Sequence, residues 1–233
     1  MTTADSNSWA GKPDLFDANL RATPVPWRFL PWDRAATVRG NAWQPVNPAA
    51  LMPTICAPML VLVPLDADHA AELSVTDAVT RMWIGWSTPP DMARCVQDWL
   101  AETAAGRRLA WVAYDANSYW RGEGEHEALG VVSLDRLPEA LNGAEWELGF
   151  WLHEKVWGHG WALRMAAAVL DWTARQTPLR LLTISWTEGN IASKHVIEKL
   201  LGTVPAVTLP AVKDGKDTTV HHYMIELAVQ EHP

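Results

Sequence analysis

Residues 145–162, EWELGFWLHEKVWGHGWA, decide how this chain is organised. Residues 145–152 are dense in aromatic and aliphatic side chains, as a buried strand is. Gly158 and Gly160 follow, one residue apart, and a long apolar-striped segment, Trp161–Gln176, begins at once. Glycines at a strand-to-helix turn let the backbone approach a ligand closely. The free N–H groups and the dipole of a helix start attract anions. The stretch therefore predicts a strand, a turn and a helix start that cradle a phosphate or pyrophosphate. A glycine pair serving turn geometry alone would read the same way.

Working outward, strands are expected at 59–65, 109–114, 128–134, 145–152, 179–186, 203–209 and 218–227. Helices are expected at 66–73, 78–86, 91–106, Trp161–Gln176 and Ile191–Leu201. Asp66 and Asp91 stand where N-caps belong, Pro89-Pro90 and Pro178 stop the helices before them, and Gly202 closes the last. Residues 116–127 are polar and Gly-rich and read as a hairpin loop; 137–144 read as a second connection. Asp214-Gly215 marks a hairpin between the last two strands. Leaving aside the short helix at 66–73, the order is β-α-α-β-β-β-α-β-α-β-β. Hairpins followed by a βαβ crossover after the glycine turn imply an α/β (α+β) fold: one mixed sheet of about seven strands with helices on both faces.

Residues 1–56 differ from the rest. Pro13, Pro24, Pro26, Pro31, Pro45, Pro48 and Pro53 alternate with Trp9, Trp27, Trp32 and Trp43. Proline disrupts regular structure, so loop or extended chain is expected, but tryptophans are rare in disordered tails. The chain thus divides into a Pro/Trp-rich extension, 1–56, packing on a body, 57–233, and the extension could cover a substrate site. At 233 residues and 48% hydrophobic, the chain can bury one sizeable core. No apolar run approaches a membrane span, and the N-terminus lacks a basic start followed by an apolar stretch, so a cytoplasmic protein is expected. Cys56 and Cys95 form neither a disulfide framework nor a zinc spacing. A net charge of −8 argues against a nucleic-acid surface. Fifteen tryptophans against three tyrosines and three phenylalanines either fill ordinary core positions or wall an apolar pocket.

The strand order, with its glycine turn after the fourth strand, resembles the GNAT family of N-acyltransferases, and within it the RimJ/RimL-like branch. The resemblance is carried by Glu147-Leu-Gly-Phe-Trp-Leu152, Trp157-Gly-His-Gly-Trp-Ala162, Gly189-Asn-Ile-Ala-Ser193 and Glu198-Lys-Leu200. It covers residues 57–228. The family's pyrophosphate loop, often Trp-Gly-x-Gly-x-Ala in that branch, is matched by Trp157, Gly158, Gly160 and Ala162. The branch's Asn-x-x-Ser helix start is matched by Asn190 and Ser193. The resemblance implies acetyl-CoA as co-substrate and an amine acceptor; separately, no pair of histidines has metal-ligand context, so no metal is expected. The resemblance places the pyrophosphate on the amides of residues 158–162, including His159 and Trp161, the pantetheine along the backbone of Trp151, Leu152 and His153, and Lys199 and Asn190 beside the co-substrate.

An amine must lose its proton to attack a thioester, and a carboxylate can take it directly or through water. Glu147 holds the position where the branch carries an acid. Glu145 points to the same face. One of them is the candidate general base, Glu147 preferred; both could instead sit on a solvated strand face. A backbone N–H near Leu152 would meet the oxyanion. The tyrosine that many GNATs use as acid is missing, because Ile197 stands there. Ser193 is the substitute the branch suggests, with Asn190 ordering water or pantetheine, although helix capping also explains both. Lys199-Leu-Leu-Gly202 departs from the family's Lys-Leu-Gly-Phe by one residue. His153 and His159 flank the loop, at most one of His221 and His222 can point into a site, and His69 reads as surface.

The acceptor would be bounded by residues 83–91, 116–127, 137–144 and the extension, with Trp83, Trp86, Trp120, Glu145 and Trp146 as candidates to contact it. This suggests a partly apolar primary amine of a small molecule, a metabolite or antibiotic-like compound. A protein or peptide N-terminus is the alternative, and a GNAT scaffold using another acyl donor, such as aminoacyl-tRNA, a third. A monomer or homodimer, with no membrane partner, is expected.

Overall fold

The computed structural model describes residues 25–35, 37–38, 43–45, 47–74, 78–84, 89–121, 127–213 and 215–228. Its centre is a nine-stranded sheet in the order β1-β9-β7-β6-β5-β4-β3-β2, with β8 also paired to β9. The strands are β1 (Trp27–Leu30), β2 (Ile55–Ala57), β3 (Leu60–Pro64), β4 (Arg108–Asp115), β5 (Gly130–Leu141), β6 (Ala144–Leu152), β7 (Leu181–Thr187), β8 (Val207–Lys213) and β9 (Lys216–Leu227). The β6–β7 pairing is parallel and the other pairings are antiparallel. Short helices α1 (Trp32–Ala35) and α2 (Pro48–Leu51) lie between β1 and β2. Helices α3 (Ala78–Ile84) and α4 (Met92–Ala104) follow β3, α5 (Ala116–Arg121) follows β4, α6 (Trp161–Gln176) crosses from β6 to β7, and α7 (Ile191–Leu201) follows β7.

The caps are where the sequence suggests. Asp91 accepts from Arg94 N–H at 3.2 Å at the start of α4. Asp66 caps a 3-10 turn, Ala67–Ala70, rather than a longer helix. His69 is a correction: it is buried, because its Nδ1 accepts from the Asp66 N–H at 3.0 Å to complete a capping box.

Three more segments depart from the sequence reading. Residues 116–121 are a helix, not loop, opened by Asp115, which accepts from Asn117 N–H. Residues 137–141 prolong β5 past an irregularity, so the β5–β6 connection is only the Asn142-Gly143 turn, both residues at positive φ. The first strand of the terminal hairpin begins at Val207, not 203, and Lys213 pairs with Lys216. Asp214, within that turn, lies outside the described residues.

The part of 1–56 that is described joins the body. β8 covers one edge of β9 as far as His222, and β1 takes over that edge from Met224 to Leu227. Together they leave little of that edge open to pairing by another chain. Trp27 enters the main core, and Trp43 packs on Trp146 with ring centroids 5.6 Å apart. Trp9 lies outside the described residues. No helix among the described residues is long and apolar enough to cross a membrane.

The main core lies between the sheet and helices α6 and α7. The opposite sheet face carries two separate apolar clusters. One includes Met92, Val96, Val112 and Tyr114 under α4; the other gathers Leu30, Ala35, Ala144, Leu181 and Met224.

Candidate functional site

Alternation along β6 turns Trp146, Leu148 and Leu152 into the main core and Glu145, Glu147, Gly149 and Trp151 to the other face. Trp146 is 0% exposed, so it walls no site beside Glu147. On the Glu147 face a polar row crosses the sheet between the two apolar clusters. Arg108 on β4 pairs with Asp135 on β5, which also accepts from Ser133 Oγ at 2.7 Å. Asp135 stands opposite Glu147, whose Oε1 accepts from Ser185 Oγ of β7 at 2.6 Å. Ser185 stands opposite His222 of β9.

Asp135, Glu145 and Glu147 share this face, and their partners differ. Asp135 has the Arg108 guanidinium, and Glu145 Oε2 lies 3.2 Å from Arg136 Nη2. Among the described residues Glu147 has only the Ser185 hydroxyl, and no cation pairs with it. Burial pushes its carboxyl above the ordinary value, the Ser185 hydrogen bond pulls it back, and the Asp135 charge adds to the rise. A carboxylate raised this way holds a proton more readily, as a general base must.

Strands β6 and β7 pair at Glu147 opposite Thr183 and form no further ladder pair toward Leu152 among the described residues. His153 N–H donates to Leu129 O at 3.0 Å, so its backbone faces β5. Backbone groups alternate edges, so Trp151 also faces β5, while Phe150 and Leu152 face the gap beside β7. The expectation of co-substrate pairing along Trp151, Leu152 and His153 is thus corrected: only Leu152 of the three is oriented for it, joined by Phe150. The Leu152 carbonyl already accepts from Trp157 Nε1 at 2.9 Å and Thr80 Oγ1 at 3.3 Å. Trp157 in this way ties the turn to the strand end. The Trp151 and His153 rings meet edge to face, 5.3 Å apart.

At the turn, Gly158 and Gly160 have φ of 82° and 73°, a region that favours glycine. Gly160 caps α6 without a side-chain hydrogen bond. First-turn amides are therefore not taken by a capping side chain, and the helix dipole adds its positive end. Trp161 and Ala162 anchor the helix start in the main core, and His159 is exposed. Arg164 Nη1 donates to His159 O at 2.8 Å, and its guanidinium lies 5.0 Å from the Trp161 ring centroid. Lys155 pairs with Glu127 on the other flank. Uncapped amides, left-handed glycines and flanking cations fit a diphosphate. Sequence reading overlooked Arg164, visible there only as a residue off the apolar stripe.

Helix α3 spans the gap. Thr80 reaches the end of β6, and a Cβ on Gly189 would lie 3.4 Å from Trp83 Cη2 at the turn after β7. Trp86 lies outside the described residues, and Trp120 is exposed on α5. Asn190 caps α7, its Oδ1 accepting from Ser193 N–H at 3.1 Å. Ile197 is buried in the main core and Lys199 is exposed on α7. His221 stacks on Trp186 at 4.1 Å between ring centroids, whereas His222 shares the Glu147 face. Among the described residues no group of three or more His, Cys, Asp or Glu could hold a metal ion.

The parted strands, the glycine turn and the half-buried carboxylate fit an acyltransferase fold, and the comparisons agree. The family model for the acetyltransferase (GNAT) domain matches residues 59–201. A GNAT-family acetyltransferase from Bacillus anthracis superposes with a TM-score of 0.59 at 16% identity, covering 75% of this chain and 98% of that one. A RimL ribosomal L7/L12 alpha-N-protein acetyltransferase in complex with coenzyme A gives 0.56 at 18%, covering 76% and 100%. A Salmonella typhimurium acetyltransferase that modifies the N-terminal serine of L7/L12 gives 0.55 at 19%, covering 72% and 95%. No curated protein matches the sequence significantly.

The chain belongs to the GNAT family of acetyltransferases. It is an acyl-CoA-dependent enzyme with acetyl-CoA as the acetyl donor.

Proposed function

We propose that the acceptor is a primary amine of a small molecule, a metabolite or antibiotic-like compound, and that Glu147 is the general base. One observation carries this reading: unlike Asp135 and Glu145, Glu147 has no cationic partner among the described residues, and it stands where β6 and β7 part. Acetyl-CoA supplies a thioester carbonyl open to amine attack. The turn at residues 158–162 and Arg164 hold the diphosphate. The Leu152 N–H faces the negative charge that develops on the acyl oxygen. Glu147 takes one proton of the amine, and the Ser193 hydroxyl gives its hydrogen to the leaving sulfur while taking the second proton that the acceptor nitrogen sheds, so no alkoxide is left. Asn190 keeps its Oδ1 on the cap and has its amide N–H groups for water or pantetheine. Lys199 lies on the co-substrate side; Trp83 and Glu145 lie on the acceptor side.

A small acceptor is favoured because the extension closes one end of the face: Leu30, Trp32, Ala35 and Val38 pack with Ala144, Leu181 and Met224. The second reading, a peptide or protein N-terminus, would enter past α3 and the Gly189 turn. Calorimetric titration with acetyl-CoA and with free CoA, followed by thiol-release screening of small amines against short peptides, separates them. Micromolar CoA binding with turnover of small amines is expected. Turnover of peptides alone would replace the acceptor assignment, and no CoA binding would end the reading.

Two further outcomes follow from the site. Arg164→Ala weakens CoA binding about fivefold to tenfold by calorimetry, the worth of one half-exposed charged hydrogen bond. An unchanged affinity would remove Arg164 from the cradle. Because burial raises the Glu147 carboxyl, kcat rises with pH through a midpoint above the ordinary glutamate value. A limb at the ordinary value, or none, would point to another base.

A further inference from the structure

We propose that His222 is a positioning residue of the acetyl-transfer site: it receives the hydrogen of the Ser185 hydroxyl when Glu147 takes the amine proton, and so carries that proton across the sheet away from the acceptor. The proposal rests on Glu147 being the base.

The register brings the three residues together. Leu227 N–H donates to Arg180 O at 2.9 Å and Glu188 N–H to Thr219 O at 2.8 Å. Counting in twos from either bond makes Ser185 and His222 a non-hydrogen-bonded pair, the kind whose side chains approach most closely. Ser185 Oγ is already 2.6 Å from Glu147 Oε1, and Ser185 is the residue of β7 that faces His222 across the ladder. The His222 Nδ1 is buried and has no hydrogen-bond partner among the described residues. A buried ring nitrogen left so costs stability unless another state of the molecule satisfies it.

The groups around His222 suit a neutral acceptor. Val207 of β8 stands opposite it, and Val220 and Met224 are its neighbours on the same face of β9. Among the described residues no carboxylate pairs with it; Glu188 goes instead to His221, on the other face. Burial first, and then the His221 charge, hold its imidazole toward the uncharged form.

The proton inventory closes. An acceptor arriving as an ammonium ion must give up one proton before attack and a second afterwards. The second goes to the leaving sulfur. The first passes to Glu147, whose protonated Oε1 donates to Ser185 Oγ. The Ser185 hydrogen turns to His222 Nδ1, and the imidazolium releases its proton to water.

Two measurements test this. In the full chain with ¹⁵N-labelled histidine, Glu147→Ala removes the present acceptor of the Ser185 hydroxyl. The His222 Nδ1 resonance should then move upfield, as a nitrogen accepting a hydrogen bond does, and Glu147→Ala/Ser185→Ala should reverse it. No movement, or movement that survives the double replacement, overturns the proposal without reference to any acceptor. The kinetic test uses acetyl-CoA and 2-phenylethylamine. His222→Gln should lower kcat about tenfold near pH 7 with CoA affinity within about twofold. The gap should close toward about pH 10, where the amine arrives without its extra proton. A gap independent of pH would make His222 merely structural. A wild-type protein that does not acetylate this amine fails the small-amine reading instead, and the resonance measurement still decides His222.

Discussion

Glu147→Gln lowers kcat by about 10²-fold or more while leaving CoA affinity within about twofold. Glutamine keeps the shape of the side chain and an oxygen for the Ser185 hydroxyl, 2.6 Å away, but cannot take a proton. The loss is therefore chemical rather than structural, and it appears in kcat rather than in binding. Thiol release at saturating acetyl-CoA and amine, beside a calorimetric titration of CoA, measures both. Unchanged turnover would end the assignment. The stability consequence runs the other way. The folded protein holds the Glu147 proton more tightly than the unfolded chain, so stability falls as pH rises through the raised midpoint. Glutamine removes that dependence. The variant should melt at or above the wild-type temperature at neutral pH, and a clearly lower Tm would mean that the carboxylate stabilises the fold.

Gly130→Ala should cost about 3 kcal/mol of stability or more. A Cβ at Gly130 would lie 2.1 Å from Trp151 O and 2.7 Å from Leu152 Cα. These are backbone atoms of β6, so no side chain can rotate away; the strand itself must shift. That strand end bears the Leu152 N–H assigned to the acyl oxygen, and its ladder with β5 places Glu147 opposite Asp135. Denaturant unfolding reads the loss. Protein that still folds should also show weakened CoA binding and turnover. A midpoint close to wild type would mean that β6 and β5 are less tightly apposed than they are here.

The carboxylate and the glycine strand end are informative because they depend on different kinds of information. The strand–turn–helix at 145–176 was legible because each signal in it is local: hydrophobic density, two glycines, and an apolar stripe with the period of a helix. The same holds for Ile191–Leu201, bounded by Asn190 and Gly202. Period-two alternation was enough to place Glu145 and Glu147 on one face. It could not say which of them would be left unpaired, because Arg136 and Arg108 arrive from β5 and β4.

Tertiary structure decided the rest. Trp27–Leu30 has four residues and little signal of its own; it is a strand because β9 extends beyond β8 and offers an edge. Residues 137–141 are strand because β6 lies beside them. Trp146 looked like a pocket wall until the sheet turned it under α6, and Phe150 became a gap-facing residue only once β5 took the other edge of β6. Composition and periodicity report what a residue prefers within a turn or two of chain. Which neighbour neutralises a charge, and which edge a backbone amide faces, depend on contacts between residues distant in sequence. For this protein the sequence by itself determined the family, the glycine turn and the face that bears Glu147. The folded sheet alone decided that Glu147 has no cationic partner among the described residues, that Ser185 stands beside it and that His222 lies across the ladder from Ser185.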